Sequence, residues 1–200
     1  MEPFVNEGAR DMKPGKRTVG TDLGLLDEEK RELHRIARTV IESRAAGKPV
    51  PQIVPAFPKL AEKFGAFVSI HKRGMLRGCI GCLTAEDALH KTIEEMAEAA
   101  AFRDPRFTPV QTEELPYLDL EISVLTPFLE IEDTNDIQVG VHGIMIRKGN
   151  YSGLLLPQVA AERNWDTITF LEETCKKAGL SRNAWQDKET KIYVFSADVF

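Results

Sequence analysis

A chain of 200 residues with 42% hydrophobic and 28% charged residues can bury a sizeable core, which excludes a disordered or fibrous chain. Its net charge of −5, with acidic and basic residues interspersed, offers neither nucleic acid nor an anionic membrane the concentrated basic surface that each rewards. No stretch approaches the ~20 apolar residues that span a bilayer. Met1 to Gly20 lacks the apolar centre of a secretion signal, and three cysteines are too few for a disulfide scaffold. A soluble protein of the cytoplasm is the expectation.

Residues 1–21 carry no usable periodicity and read as a flexible tail. From Asp27 the pattern turns helical, with Leu33, Ile36, Ala37, Val40 and Ile41 on one face. Asp27 fits the N-cap and Gly47 the stop. The run from Pro49 to Pro58 reads as an extended linker.

Ala66 to Gly81 reads as a β-hairpin turning at Lys72-Arg73-Gly74. A three-residue loop would pair Ser69 with Arg77 and Phe67 with Cys79, and would place Val68, Ile70, Leu76 and Ile80 on one apolar face. A two-residue loop would split that set, so the longer loop is expected. Thr84 and Asp87 then suggest a cap for a helix whose stripe is Leu89, Ile93, Met96, Ala97 and Ala100.

Leu118 to Leu125 alternates as a half-buried strand, with Asp119, Glu121 and Ser123 on its polar side. A second hairpin spans Gly143 to Leu156 and turns at Gly149-Asn150. Pro157 opens a short helix. Asp166 caps another, with Ile168, Leu171, Cys175 and Ala178 inward, and Ile192, Val194 and Phe195 form a last strand. Hairpins and helices in mixed order point to an α+β fold with a largely antiparallel sheet.

Alternation places Arg77, Cys79 and Gly81 on one strand face. A guanidinium beside a thiol favours the thiolate and lowers its pKa from about 8.5, which makes Cys79 a candidate nucleophile. Gly78 and Gly81 would let a ligand approach closely; equally, they would admit tight packing around a structural cysteine. His71 is nearby in sequence, but in the expected register it lies roughly 13 Å along the strand from the residue opposite Cys79. His142, beside Gly143, is the preferred general base, and Glu121 could orient a histidine or bind a cation. His34 and His90 receive no role. Cys79 and Cys82 have redox-dithiol spacing without the βαβ setting of a thioredoxin-type site. Cys175 reads as core. No set of four metal ligands occurs, and neither a metal nor a cofactor is assigned.

Leu76-Arg77-Gly78-Cys79-Ile80-Gly81 resembles the signature hexapeptide of the AMMECR domain family. Further matches follow in that family's order: Asp104-Pro105-Arg106-Phe107, Glu114-Leu115-Pro116, Ser123-Val124-Leu125, Val139 to Ile144, Leu156 to Ala160, and Trp165. The ordered set covers residues 22–200 and is specific where each motif alone is short. The resemblance implies a two-lobed α+β domain with the hexapeptide near a cleft, in a family without an established activity. It also implies partners: some prokaryotic members are associated with a Memo-like protein and a radical-SAM enzyme.

Two functions are therefore expected to compete. One is an enzyme with Cys79 as nucleophile, Arg77 activating it or binding an anionic group, His142 as base, and Gly78, Gly81 and Glu121 contacting a small-molecule ligand. The other is a non-catalytic binding or adaptor module that uses the same loop for recognition.

Overall fold

The computed structural model describes residues 4–5 and 23–200. Apart from the backbone of Phe4–Val5, the expected N-terminal tail lies outside the described residues. The chain is α+β and divides into two compact units, residues 24–125 with Val199–Phe200, and residues 126–198.

The first unit is built from β1 (Phe4–Val5), α1 (Asp27–Ala45), β2 (Ala66–Lys72), β3 (Met75–Cys82), α2 (Leu89–Phe102) and β4 (Leu118–Leu125). Strand β3 lies between β1 and β2, and β2 pairs on its other side with β4, all antiparallel. At the chain's end Phe200 exchanges both backbone hydrogen bonds with Ile122. The apolar stripe of α1 is buried as expected, and so is that of α2. Beneath them the sheet presents Val68, Ile70, Ile80, Ile122 and Val124, each almost fully buried. Side chains of this size stabilise a fold by about 1.5–3 kcal/mol each.

The helix starts differ slightly from expectation. Helix α1 has Leu26 rather than Asp27 as its cap, with Glu29 accepting from the Leu26 amide at 2.8 Å. Helix α2 begins at Leu89, beyond the expected Thr84–Asp87 signal, because the Leu89 amide donates to the Glu62 carbonyl instead of to a capping side chain. Pro49 to Phe57 runs as irregular chain inside the first unit.

The first hairpin is the main correction. Lys72 pairs with Met75, so the turn has two residues, Arg73 and Gly74, both with positive φ (52° and 79°). Such turns match the twist of the flanking strands. Between Ile70 and His71 the register then slips by one residue: His71 is opposite Leu76 while Ile70 is opposite Gly78. Arg77 is the inserted residue of a β-bulge. The shorter turn and the bulge together keep Val68 opposite Ile80 on the apolar face, which neither uninterrupted register achieves alongside this turn. Ser69 consequently faces Cys79, and half-buried Leu76 lies opposite His71 instead of joining the apolar set.

The second unit contains β5 (Leu129–Ile131), β6 (Gly143–Lys148), β7 (Tyr151–Leu155), α3 (Pro157–Glu162), α4 (Thr167–Lys177) and β8 (Lys191–Phe195). Its sheet runs β5-β8-β6-β7, and the β6–β7 turn falls at Gly149-Asn150 as expected. Asp166 caps α4 by accepting from the Thr169 amide at 2.7 Å. Phe170, Leu171 and Cys175 are buried, whereas Ile168, expected inward, is 46% exposed in the first turn.

Gly78 lets α2 approach β3. A Cβ there would lie 2.1 Å from the Ala100 carbonyl oxygen, a backbone atom that cannot rotate away. Gly78→Ala is expected to lower the unfolding free energy by about 3 kcal/mol in urea titrations. Gly74→Ala, facing open space, is expected to cost only the left-handed strain of about 1–2 kcal/mol.

Candidate functional site

Cys79 is clamped through its backbone. Its amide donates to Asp104 Oδ2 at 2.9 Å, and Arg106 Nη2 donates to its carbonyl at 3.1 Å. Both groups therefore point away from β2, which makes Ser69 and Cys79 a non-hydrogen-bonded pair, the geometry in which facing side chains come closest. The Ser69 hydroxyl accordingly donates to Cys79 Sγ at 3.1 Å.

The clamp is itself a charge pair. Arg106 meets Asp104 through Nε at 3.0 Å and Nη2 at 2.7 Å, and its amide donates to Oδ1 at 3.1 Å. Burial by itself would raise the Asp104 carboxyl pKa, but the bonds from Arg106 and from the Cys79 amide hold it below its usual value.

The thiol has the opposite character to an activated nucleophile. Cys79 is completely buried, and burial pushes its pKa up to about 11, only partly offset by the Ser69 hydrogen bond and the Arg106 charge. The cation felt at the sulfur is Arg106; Arg77 is committed elsewhere. Arg77 forms a two-pronged pair with Glu114, Nε to Oε1 and Nη2 to Oε2, each 3.0 Å. Lys72 Nζ adds a bond to Oε1 at 2.8 Å, and the Gln111 amide one to Oε2 at 3.0 Å. These donors, Arg77 foremost, hold the Glu114 carboxyl down at about 2. The Phe107 ring lies 6.0 Å from the Arg77 guanidinium carbon.

The space beside the two glycines is filled by the protein. The Ala100 carbonyl takes the room at Gly78, and the Phe67 ring lies over Gly81, 2.2 Å from where a Cβ would stand. Their packing role accounts for both. Glu121 is half-buried opposite Ser69, and its charge raises the Cys79 pKa further. His142 belongs to the second unit, where its Nδ1 accepts from the Gln138 amide at 3.2 Å.

Cys82 faces the apolar side with Ala66, the side opposite to Cys79, as residues three apart on a strand must. The two sulfurs do not form a redox pair. Among the described residues, no group of three or more His, Cys, Asp or Glu could hold a metal ion. No described helix is long and apolar enough to cross a membrane.

The structure thus gathers Ser69, Asp104, Arg106 and Glu114 around the expected residues Cys79 and Arg77. The expected register set Ser69 opposite Arg77, and only the bulge brings it opposite Cys79. Asp104, Arg106 and Glu114 were visible only as members of recurring short motifs.

A family model named AMMECR1 matches residues 34–200. This chain belongs to the AMMECR1 family. An archaeal relative from Methanothermobacter thermautotrophicus is 43% identical over 183 residues, covering 88% of this chain and 95% of that protein. Protein PH0010 from Pyrococcus horikoshii is 43% identical over 187 residues, covering 88% and 91%. The crystal structure of PH0010, titled an uncharacterized protein, superposes with a TM-score of 0.80 at 42% identity, covering 88% of this chain and 92% of that one.

In this AMMECR1 member the Arg77–Glu114 pair has a definite acid signature. Because the folded carboxyl titrates below its ordinary value of 4.5, its stabilisation is complete above that value and is lost as pH falls toward about 2. The urea midpoint of the native chain is expected to drop across that window. Glu114→Gln, less stable at neutral pH by about 2–3 kcal/mol, is expected to show a flatter profile there. Equal slopes for the two proteins would remove Glu114 from the account.

Proposed function

We propose that this AMMECR1-family domain is a non-catalytic binding module for a protein partner, with the clamped β2–β3 hairpin as its recognition element and Cys79 as a structural residue. The state of the thiol carries the reading. With a pKa of about 11, only about one sulfur in ten thousand is thiolate at neutral pH, and the sulfur has no exposed surface. A nucleophile needs the reverse on both counts, so Cys79 acting with Arg77 and His142 is the weaker reading.

The hairpin tip supports the positive half. Met75 is 75% exposed and Tyr117 50%, with the Arg73 guanidinium 4.7 Å from the Tyr117 ring centre. Methionine, tyrosine and arginine are the residue types enriched at protein interfaces. The tip is also held in place. Tyr117 ends the segment that carries Glu114, and Arg38 fixes that segment by donating to the carbonyls of Leu115 at 3.2 Å and Leu118 at 2.7 Å. A surface arranged before contact loses less freedom on binding. The Memo-like protein and the radical-SAM enzyme implied by the family resemblance are the first partners to try.

In the native protein, Cys79 is expected to alkylate with iodoacetamide at least about 100-fold more slowly than a free thiol. By calorimetry, Met75→Glu or Arg73→Glu is expected to weaken binding of the Memo-like protein about tenfold or more, while Cys79→Ser leaves it unchanged. Rapid alkylation of Cys79 would restore the enzymatic reading, and indifference to both tip variants would dismiss the hairpin as the recognition element.

A further inference from the structure

Between α1 and β2, residues 48–55 run without helix, strand or turn. Proline holds its own φ at about −65° and turns the residue before it toward extended backbone. Lys48, Val50 and Val54 each precede a proline, so most of the stretch is preset to the polyproline II form. That form makes no internal hydrogen bonds and leaves its backbone solvated. Among the described residues, accordingly, no hydrogen bond reaches the backbone of residues 49–56.

Exposure along the stretch follows the three-residue repeat of such a helix. Val50 is half-buried and Ile53, three residues on, is only 6% exposed, which seats one edge against the protein. A second edge is exposed at Pro49 and Gln52 and half-buried at Pro55. Lys48, Pro51 and Val54 stand at the same spacing on the third edge, and all three are exposed, Val54 to 74%. A connector needs the prolines for stiffness; it does not need an apolar side chain standing in water on that edge.

The stretch is also a basic island in an acidic chain. No acidic residue occurs between Glu42 and Glu62, although the whole chain carries a net charge of −5. Of the basic residues there, Arg44 is paired with Glu98, and the Lys59 amine lies 5.9 Å from the centre of the Phe64 ring. Lys48 is exposed and has no ion pair among the described residues.

A cation followed at steps of three by two apolar side chains, on one edge of a stiff backbone, fits one kind of surface. Aromatic rings set side by side receive the apolar steps, and an acid beyond them receives the cation. A ligand that is already extended loses little freedom on docking. We propose that residues 48–55 are a docking segment for a protein partner whose groove is lined by aromatic rings and flanked by an acidic residue. Pro51 and Val54 enter the groove, and Lys48 meets the acid. The hairpin tip takes no part in this contact, and the inference does not depend on it.

The test uses the full chain with an isotope-labelled SH3 domain as the probe, of the type that accepts basic-x-x-Pro-x-x-Pro ligands and has such a groove. The indole resonance of the groove tryptophan is expected to move saturably as unlabelled chain is added. Lys48→Glu and Val54→Glu, both exposed changes, are each expected to raise the apparent Kd about tenfold or more. Val54→Pro, which completes the ligand pattern, is expected to lower it about fivefold, while Met75→Glu leaves it unaltered. Three results would each overturn the proposal: a groove resonance that does not move, movement confined to resonances outside the groove, or an unchanged titration in Val54→Glu with native melting behaviour.

Discussion

Buried backbone polar groups must find partners, and at Cys79 one carboxylate–guanidinium pair supplies both. Among the described residues, strand β1 pairs with Ile80 and Gly81, next to Cys79. Asp104 and Arg106 take over there, and they also satisfy each other. Removing Arg106 would leave the buried Asp104 carboxylate without its counter-charge, a loss larger than that of one hydrogen bond. The short connection after α2 is thereby fastened to β3, and Phe107 is delivered beside Arg77.

The hairpin geometry follows from the same local economy of residues. A two-residue turn and a one-residue bulge have opposite effects on which side chains share a face, and together they keep Val68, Ile70 and Ile80 on the apolar side. The bulge re-aims Arg77 toward Glu114, away from the sulfur two positions on. It also sets Ser69 against Cys79 and moves His71 one row nearer to it than an uninterrupted ladder with a longer loop would. Packing, charge pairing and the polar face of the sheet all inherit their arrangement from that single inserted residue.

Elements governed by short-range pattern were legible in the sequence. The buried stripe of α1, the alternation of Leu118–Leu125, the Gly149-Asn150 turn and the Asp166 cap each depend on residues within a few positions of one another. What was not legible depends on distant partners. The Asp104 carboxylate meets Cys79 across 25 positions, Glu114 meets Arg77 across 37, and Glu62 decides where α2 begins. The bulge was hidden for a related reason: alternation constrains which residues face the core, and the bulged ladder keeps Val68, Ile70 and Ile80 there at the loss of Leu76 alone. The glycines showed where space was needed; only coordinates could show that an α2 carbonyl and a phenylalanine ring use it.

The turn itself holds one further consequence. Arg73 occupies a left-handed backbone conformation, at φ 52°, where asparagine or glycine would close the hairpin with less strain. An L-residue with a long side chain costs roughly 1–2 kcal/mol in that region. Its guanidinium rests on an aromatic ring at the protein's outer surface, a contact worth about 0.5–1 kcal/mol when solvated. The contact therefore does not fully offset the cost within the isolated chain. Arginine at this corner makes better sense once something else covers it and excludes water, since a sheltered cation on a ring is the stronger version of the same contact.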